Sequence, residues 1–336
     1  MNVFRGFQHP GLAAQCALTI GNFDGVHRGH QAMLALLQNE ARLRGLPSTV
    51  MTFEPHPRDW FAVQTGRPEL APARIGTLRD KLAGLAAAGI EQCVVLRFDA
   101  ALAGLAPEAF IDRVLVRGLG ARYVLVGDDF RFGAKRAGDY AMLDAAGVER
   151  GFDVARMNSY EVHGLRVSSS AVRAALAAGD MAQAAVLLGR PYAISGHVVH
   201  GAKLGRTLGF RTLNLRFAHG KPAASGIFVV RVHGLSDEPV PGVASLGVRP
   251  SIDPNDRNGG RVLLETHCLV WPEALAGQEA YGKIIQVDLL HKLHDERKYD
   301  GLPALIAGIT ADCADARTWF DSLHGQTLRQ TTRDRI

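Results

Sequence analysis

The hydropathy pattern changes once along this 336-residue chain, and that change limits the folds open to it. From residue 16 to about residue 185, short apolar runs alternate with segments whose apolar residues recur at helical spacing. Strands separated by helices pair in parallel, so this half is predicted to be a doubly wound α/β sheet with helices on both faces. From Tyr192 onward, short alternating runs are separated by glycine turns, a pattern typical of a small antiparallel β-barrel.

The two patterns meet near residues 187–191, which predicts two domains, residues 1–186 and 187–336. The length of the chain agrees with two domains of ordinary size. Residues 303–322 have helical spacing and are predicted to form a closing helix over one face of the barrel.

The composition is that of a globular protein, with 47% apolar and 21% charged residues. No apolar run reaches the roughly 18 residues that would span a bilayer, and the N-terminus lacks the apolar core of a secretory signal. We therefore expect a cytoplasmic protein without a membrane partner.

The net charge of +5 suits anionic partners, among which phosphate-bearing small molecules and nucleic acid both qualify. The basic residues are spread thinly rather than grouped in a block, so we expect no nucleic-acid partner. The sequence leaves a homo-oligomer open.

The four cysteines are scattered, with no CxxC and no cluster with histidine: Cys16, Cys93, Cys268 and Cys313. This spacing argues against a zinc site and against disulfides, and predicts buried, reduced thiols.

Residues 19–30 (TIGNFDGVHRGH) lie between a predicted strand and a predicted helix. A helix N-terminus offers free N–H groups and a positive dipole end, and His27 and His30 are spaced so that both imidazoles face one point. The alternative is a glycine-rich turn with two solvated histidines, but the carboxyl end of a strand is where open α/β sheets bind ligands. Asp24 fits either a ligand for Mg²⁺ or ribose, or a turn-forming residue.

The motif GNFDGVHRGH resembles the signature of nucleotidyltransferases with an HxGH sequence, and in this form that of the bacterial bifunctional riboflavin kinase/FAD synthetases. Three further segments resemble the same family in order and distance: TFEPHP (52–57), GDDFRFG (127–133) and VSSSAVR (167–173). The resemblance implies that His27 and His30 contact the phosphates of ATP and act in catalysis. The wider set of ATP-binding residues that it implies is Gly21, Phe23, Asp24, Gly25, Gly29, Ser168, Ser169, Ser170 and Arg173.

The serines have a second interpretation, since serines that precede an apolar helix also serve as simple N-caps. The GDDFRFG loop is similar to the family's flavin loop, which implies that Phe130 and Phe132 line a slot for the flavin ring, with Asp128 and Asp129 near its polar edge. Phenylalanines in a loop more often serve packing alone.

Residues 196–215 (GHVVHGAKLGRTLGFRTLNL) contain four glycines spaced as in a loop that wraps closely around a ligand. The segment resembles the riboflavin kinase motif GxVxxGxxxGRxLGFPTxN. The resemblance implies that Thr212 and Asn214 hold Mg²⁺ and nucleotide phosphates. It also implies that Gly201, Gly205 and Arg206 contact ATP.

Two departures from the family pattern affect this second motif. Arg211 stands where the family usually has proline, which loosens the backbone and offers a further phosphate contact. Ser245 and Ser251 stand for the more usual Asn and Thr. Glu265 matches the family's general base for the ribityl 5′-hydroxyl; its alternative is an outward-facing strand glutamate.

The resemblance implies two ATP-dependent reactions, phosphorylation of riboflavin to FMN and adenylylation of FMN to FAD with release of pyrophosphate. Three other classes of protein are alternatives: a different nucleotidyltransferase fused to an unrelated barrel, a nucleic-acid-binding module, and a flavin-binding sensor with one inactive half. The DFRFG and GRTLGF segments speak against the first, and the absence of a basic patch speaks against the second.

Overall fold

The computed structural model describes residues 1–162, 164–201, 209–217, 221–248, 262–275 and 280–333. The chain divides into two compact units. The first consists of residues Met1–Pro72 and Asp80–Ala171, and the second of Ala73–Arg79 and Val172–Ile336.

The first unit is built on a six-stranded sheet in the order β1-β4-β3-β2-β5-β6, in which every neighbouring pair is parallel. Its strands are β1 (Asn2–Arg5), β2 (Cys16–Ile20), β3 (Ser48–Glu54), β4 (Gln92–Arg97), β5 (Ala121–Gly127) and β6 (Asp153–Met157). The helices that connect or follow them are α1 (Arg28–Arg44), α2 (Pro57–Gln64), α3 (Leu78–Ala87), α4 (Ala100–Ala103), α5 (Pro107–Phe110) and α6 (Tyr140–Arg150). A π-helical stretch (Ile111–Val116) continues α5, and a small hairpin pairs β7 (Glu161–Val162) with β8 (Leu165–Arg166).

Alternate residues of β2 enter two different cores, which confirms the doubly wound α/β prediction. Cys16, Leu18 and Ile20 belong to a cluster on one face of the sheet. Ala17 belongs to a cluster on the other face, together with Leu34 of α1. Because strand side chains point alternately to opposite faces, helices must cover both sides of this sheet.

The strand order places a topological switch point between β2 and β5. From β2 the chain continues through β3 and β4 on one side, whereas β5 and β6 lie on the other side. In open α/β sheets, ligands bind at the carboxyl ends of the strands at such a point. The GNFDGVHRGH segment follows β2 and the GDDFRFG segment follows β5, so the two motifs flank this crevice.

The second unit contains a closed six-stranded antiparallel barrel in the order β10-β13-β12-β11-β14-β9. Its strands are β9 (Tyr192–Val199), β10 (Thr212–Arg216), β11 (Gly226–His233), β12 (Val240–Val248), β13 (Val262–Cys268) and β14 (Ile284–His294). Its helices are α7 (Ser169–Ala178), which begins in the first unit, α8 (Met181–Leu188) and α9 (Leu302–Arg333).

Helix α9 packs on the outside of the barrel and confirms the predicted closing helix. Val229 of β11 and Val243 of β12 form a buried cluster with Cys313, Ala316 and Phe320 of the helix. The helix begins at Leu302 and continues to Arg333, beyond the predicted end at residue 322.

The segment Ala73–Arg79 belongs to the second unit although it lies between two stretches of the first. The Arg74 amide donates to the carbonyl oxygen of Lys221 at 2.9 Å, and the Ala223 amide donates to that of Arg74 at 3.1 Å. Only 1% of the Arg74 surface is exposed. The sequence carries no signal for this arrangement, because nothing in the PARIGTLR stretch marks it as an edge pairing.

All four cysteines are free and buried, as the sequence predicts. Burial raises the pKa of Cys16 to about 11 and the pKa values of Cys93 and Cys268 to about 12. Within the described residues, every helix is too short or too polar to cross a membrane.

Candidate active sites

The turn between β2 and α1 has an unusual backbone that burial holds in place. Phe23, Gly25 and Val26 have φ angles of +48°, +83° and +41°. A positive φ is strained for a bulky or β-branched residue, at a cost of about 1–3 kcal/mol each. Phe23 and Val26 are both 1% exposed and belong to the same core as α1. Packing of these two side chains in the core therefore holds the turn in its strained backbone conformation.

Two imidazoles stack at the N-terminus of α1. His27 is the N-cap residue, and its Nδ1 accepts a hydrogen bond from the His30 amide at 3.3 Å. The two rings lie 3.6 Å apart, centroid to centroid, with an interplanar angle of 17°. Because Nδ1 of His27 is an acceptor, the proton of the neutral ring is on Nε2. A Cβ on Gly29 would lie 3.3 Å from the His27 ring, so glycine permits this close packing.

His30 is held in the neutral form. Burial lowers its pKa well below the usual value, and the neighbouring His27 and Lys81 lower it further. Within the described part of the chain, its Nδ1 is buried without a hydrogen-bond partner. The neutral imidazole of His30 offers one N–H donor and one acceptor, and it adds no positive charge to that of Lys81.

Lys81 of α3 is a site residue that the sequence analysis did not single out. It is 3% exposed, and its Nζ donates to Oγ1 of Thr52, at the carboxyl end of β3, at 3.2 Å. A buried lysine is rare unless it is paired. In sequence, Lys81 lies in an ordinary amphipathic helix, so no local signal distinguishes it.

The serine segment at the start of α7 contacts the same turn. Ser169 Oγ donates to the carbonyl oxygen of Asp24 at 3.0 Å, and the Asp24 residue is 2% exposed. Ser168 Oγ accepts from the Ala171 amide at 3.2 Å, the bond of an N-cap. Ser170 is exposed. The three serines thus have different environments.

Arg173, one turn into α7, lies in the second unit. Its Nε donates to the carbonyl oxygen of Ala73 at 2.6 Å.

The acidic residues after β5 differ in their contacts. Asp128 accepts from Ser159 Oγ at 2.5 Å and pairs with Arg166 of β8 at 3.4 Å. The Ser159 hydroxyl, and to a smaller extent the Arg166 guanidinium, lower the pKa of Asp128. Asp129 is exposed at the tip of the loop.

The two phenylalanines of the GDDFRFG loop stack on each other. Their ring centroids are 5.5 Å apart at 20°. Phe132 is 6% exposed and packs against Phe110, so it belongs to the core. Phe130 is half-buried at the edge of the same cluster. Of the two rings, Phe130 is the one that retains an accessible surface.

On the barrel, the predicted kinase residues align across adjacent strands. Asn214 of β10 pairs with Glu265 of β13, and Glu265 pairs with Ser245 of β12. Directly opposed residues point to the same face of a sheet. This face is the outer one, because Val243, two residues from Ser245, packs under α9. Glu265 therefore points away from the barrel interior.

The side chain of Asn214 has the features of a cation ligand. It is 5% exposed, and its Oδ1 is buried without a donor among the residues that the structure describes. Thr212 lies two residues earlier on the same face of β10. A hydroxyl oxygen and an orphaned amide oxygen are hard donors of the kind that Mg²⁺ prefers. These residues fit the metal that the sequence implies.

Gly201 approaches Asn214 closely. A Cβ at position 201 would lie 2.5 Å from Nδ2 and 2.8 Å from Cγ and Oδ1 of Asn214. Gly205, Arg206 and Ser251 lie outside the described residues.

Arg211 is fixed by contacts on both its side chain and its backbone. The guanidinium lies over the Trp271 ring, 4.6 Å from its centroid, which is within cation–π range. Its carbonyl oxygen accepts from Nδ1 of His267 at 2.9 Å, and His267 pairs directly with Thr212. These two contacts restrict the residue before Thr212, where proline would restrict the backbone covalently.

Glu296 is a second carboxylate near this row and was not predicted. Ser245 Oγ donates to Oε1 of Glu296 at 3.1 Å. A Cβ on Gly247 would overlap the carboxylate of Glu296, so glycine at this position permits the carboxylate to lie here. Glu296 is two residues beyond β14, and the sequence gives no reason to place it beside β12.

Fold and site geometry together are typical of a two-domain nucleotide-dependent transferase, with one candidate site at the switch point of an α/β sheet and another on the outer face of a β-barrel. Sequence profiles of two families match the chain: FAD synthetase over residues 10–171 and riboflavin kinase over residues 188–320.

Similar proteins cover nearly the whole chain. The bifunctional riboflavin kinase/FMN adenylyltransferase of Escherichia coli K12 is 44% identical over 322 residues, 95% of this chain and 98% of that protein. The Haemophilus influenzae protein of the same name is 40% identical and covers 96% of this chain and 100% of its own length. A crystal structure described as a macrolide-efflux protein from Streptococcus pneumoniae superposes with a TM-score of 0.73 at 26% identity, covering 94% and 98% of the two chains.

The chain therefore belongs to the bifunctional riboflavin kinase/FMN adenylyltransferase family. It phosphorylates riboflavin to FMN and adenylylates FMN to FAD, using ATP in both reactions.

Proposed function

We propose that the two reactions are divided between residues 1–186, which adenylylate FMN, and residues 187–336, which phosphorylate riboflavin. The observation that supports this division is that each half has its own, different group of polar side chains. One is a pair of stacked imidazoles at a helix N-terminus, and the other is a strand row with Thr212, Asn214 and Glu265.

In the adenylyltransferase half, His27 and His30 bind the triphosphate of ATP at the N-terminus of α1. A phosphate oxygen of FMN attacks the α-phosphorus, the bond to the bridging oxygen breaks, and pyrophosphate leaves with the extra negative charge. Nε2–H of His27, the neutral His30 ring and the free amides of α1 are donors to that charge. Positioning and electrostatics suffice, so no covalent enzyme intermediate is needed.

The serine segment supports this site from the other side. Ser169 fixes the backbone at Asp24, while Ser170 serves the triphosphate tail. Asp24 itself acts through its carbonyl oxygen on Ser169, and its carboxylate serves the ribose or the metal.

FMN enters beside the GDDFRFG loop on the neighbouring strand. Phe130 contacts the flavin ring, and Phe132 supports Phe130 by stacking from the core. Asp129 lies near the polar edge of the ring. Asp128 shapes the loop through Ser159 and Arg166.

In the kinase half, Glu265 accepts the proton of the ribityl 5′-hydroxyl as its oxygen attacks the γ-phosphorus of ATP and ADP leaves. Thr212 and Asn214 hold Mg²⁺ through their side-chain oxygens. When bound, Mg²⁺ neutralises charge on the phosphate oxygens. Gly201, Gly205 and Arg206 contact ATP, as the resemblance to the riboflavin kinase motif implies.

The division is tested by two single variants assayed with ATP, Mg²⁺ and either riboflavin or FMN, with flavins separated by chromatography. Glu265→Gln should lower FMN formation by at least about a hundredfold, the usual contribution of a general base, and leave FMN-to-FAD conversion intact. His30→Ala should do the reverse. Loss of both activities from one substitution in a folded protein would refute the two-site assignment.

We further propose that the enzyme acts in the cytoplasm, where ATP and free flavins meet, without a nucleic-acid or membrane partner. A homo-oligomer is compatible with two self-contained sites. Analytical ultracentrifugation of the intact chain measures its oligomeric state.

A further inference from the structure

A single row of paired residues crosses five strands of the barrel. Asn214 pairs with Glu265, Glu265 with Ser245, Ser245 with Ile227, and Ile227 with His294. These residues share the outer face. The candidate general base is therefore linked by register to the end of β14, two strands beyond Ser245.

The end of β14 is anchored to α9. Nε2 of His294 lies 2.8 Å from Oδ1 of Asp312, and the side chains of this pair are only 14% and 10% exposed. Nδ1 of His294 lies 2.7 Å from the carbonyl oxygen of Asp295. The chain thus leaves β14 from an anchored end, and Glu296, two residues further on, contacts Ser245 of β12, two strands away from β14 in the barrel.

Glu296 accepts the hydroxyl proton of Ser245, with Oγ and Oε1 3.1 Å apart. Its carboxylate lies in space that exists only because residue 247 has no side chain. Gly247 leaves room for the carboxylate, and the Ser245 hydroxyl supplies its hydrogen-bond donor.

Resting on the proposed role of Glu265 as general base, we propose that Glu296 is a positioning residue of the kinase site, which acts by holding the Ser245 hydroxyl proton away from Glu265. Ser245 is directly opposed to Glu265, so these two side chains are neighbours on one face.

The physical reason lies in the single proton of a hydroxyl group. A serine hydroxyl has one proton to donate and two lone pairs with which to accept. While Ser245 donates to Glu296, it cannot donate to Glu265, and its lone pairs remain acceptors for a substrate hydroxyl. A hydrogen bond donated to a carboxylate stabilises the ionised form and makes it a weaker base. The Glu296 carboxylate therefore directs the Ser245 proton away from the proposed general base.

The test is a double-mutant cycle on riboflavin phosphorylation in the full-length enzyme. Glu296→Ala should lower kcat by about tenfold, the size of effect that one hydrogen bond to a charged group can have, with little change in the KM for ATP. In a Ser245→Ala background, the same substitution should change kcat by less than about twofold, because there is no hydroxyl proton to redirect. Glu296→Gln keeps an acceptor oxygen and should lose less than Glu296→Ala.

The controls are Glu238→Ala, an exposed glutamate in the loop between β11 and β12, and FMN-to-FAD conversion in every variant. Both should be unchanged. An equal loss of kcat in the two backgrounds, or no loss in either, would overturn the proposal. If Glu265→Gln keeps full kinase activity, the assignment of the base has failed instead, so the two failures are distinguishable.

Discussion

Gly201 shows how a single missing side chain shapes a site. Its α-carbon approaches the Asn214 amide so closely that any Cβ would overlap it. Asn214 is buried, so it has little room to move aside. If Asn214 is the proposed Mg²⁺ ligand, an added atom at position 201 would displace it.

We therefore expect Gly201→Ala to lower kcat/KM for riboflavin phosphorylation by roughly a hundredfold, because displacement of a catalytic group by about 1 Å has that order of effect. Gly196→Ala, on β9, is the matched control, since its Cβ would meet nothing closer than Leu215 Cδ2 at 3.8 Å. Steady-state kinetics of both variants, with FMN adenylylation as the internal reference, make the comparison. Equal kcat/KM values for the two variants would show that a Cβ at position 201 does not displace Asn214.

Because His30 is held neutral, we expect the free energy of unfolding of the first unit to decrease in acid. Its pKa in the folded protein is well below the value of 6.5 for an unperturbed histidine, so the unfolded chain takes up a proton first as the pH falls. The unfolded state then binds more protons, and the free energy of unfolding decreases below about pH 6.5 by up to about 1.4 kcal/mol per pH unit. The loss ends once the pH falls below the folded-state pKa.

His30→Asn should reduce this slope. Urea unfolding between about pH 7.5 and pH 5 measures it, followed by the fluorescence of Trp60 in a Trp271→Phe, Trp319→Phe background so that the signal reports the first unit. The reference is the same background with His30 intact. Identical slopes with and without His30 would show that its burial does not control acid stability.

The site residues that sequence analysis could find are those whose type and spacing carry chemistry. His27 and His30 were predicted as a pair because three residues at a helix start bring two imidazoles together, and the structure stacks them. Lys81 and Glu296 could not be predicted. Each reaches its site from a segment distant in sequence, and each looks like an ordinary surface charge in its own segment.

At the level of the element, α9 shows how a helix completes the barrel. It supplies Cys313, Ala316 and Phe320 to a cluster with Val229 and Val243. Ala316 is fully buried, whereas Ala314, two residues earlier, faces solvent.

Ala316→Asp should destabilise the second unit by on the order of 3–5 kcal/mol, since it buries an unpaired charge in an apolar interface. Ala314→Asp makes the same chemical change on the exposed face and should alter stability by no more than about 0.5 kcal/mol. Thermal unfolding of the two variants and of the parent gives the comparison. Similar melting temperatures for the two variants would mean that α9 does not pack on the barrel as described.

The ends of a strand were predicted best where a single sequence signal, such as a run of buried residues followed by glycine, marked them. β2 was predicted as residues 16–20 and is observed as Cys16–Ile20, because five consecutive residues are buried and a glycine follows. β10 lies at the end of the glycine-rich motif of residues 196–215, whose glycines indicate a loop around a ligand, and it was not predicted as a strand. β1 was missed because only one of its four residues is buried, which leaves no apolar pattern to detect.

At the scale of the whole chain, two folds with different pairing rules were predicted from the change in periodicity alone. Parallel pairing follows from the helices between strands, and antiparallel pairing from the short turns. The assignment of Ala73–Arg79 to the second unit could not be predicted from the sequence, because it depends on a long-range backbone pairing with residues 221–223.

The row of paired residues across the barrel ties correct folding to catalysis. A slip of one position in β13 would turn Glu265 toward the lumen and bring Leu264 and Thr266 to the outer surface, since strand side chains alternate. Such a barrel would lose its apolar core and displace Glu265, the proposed base, in the same step. The enzyme therefore has no well-packed but inactive form reachable by slippage of this strand, and kinase activity itself reports whether the barrel has assembled in register.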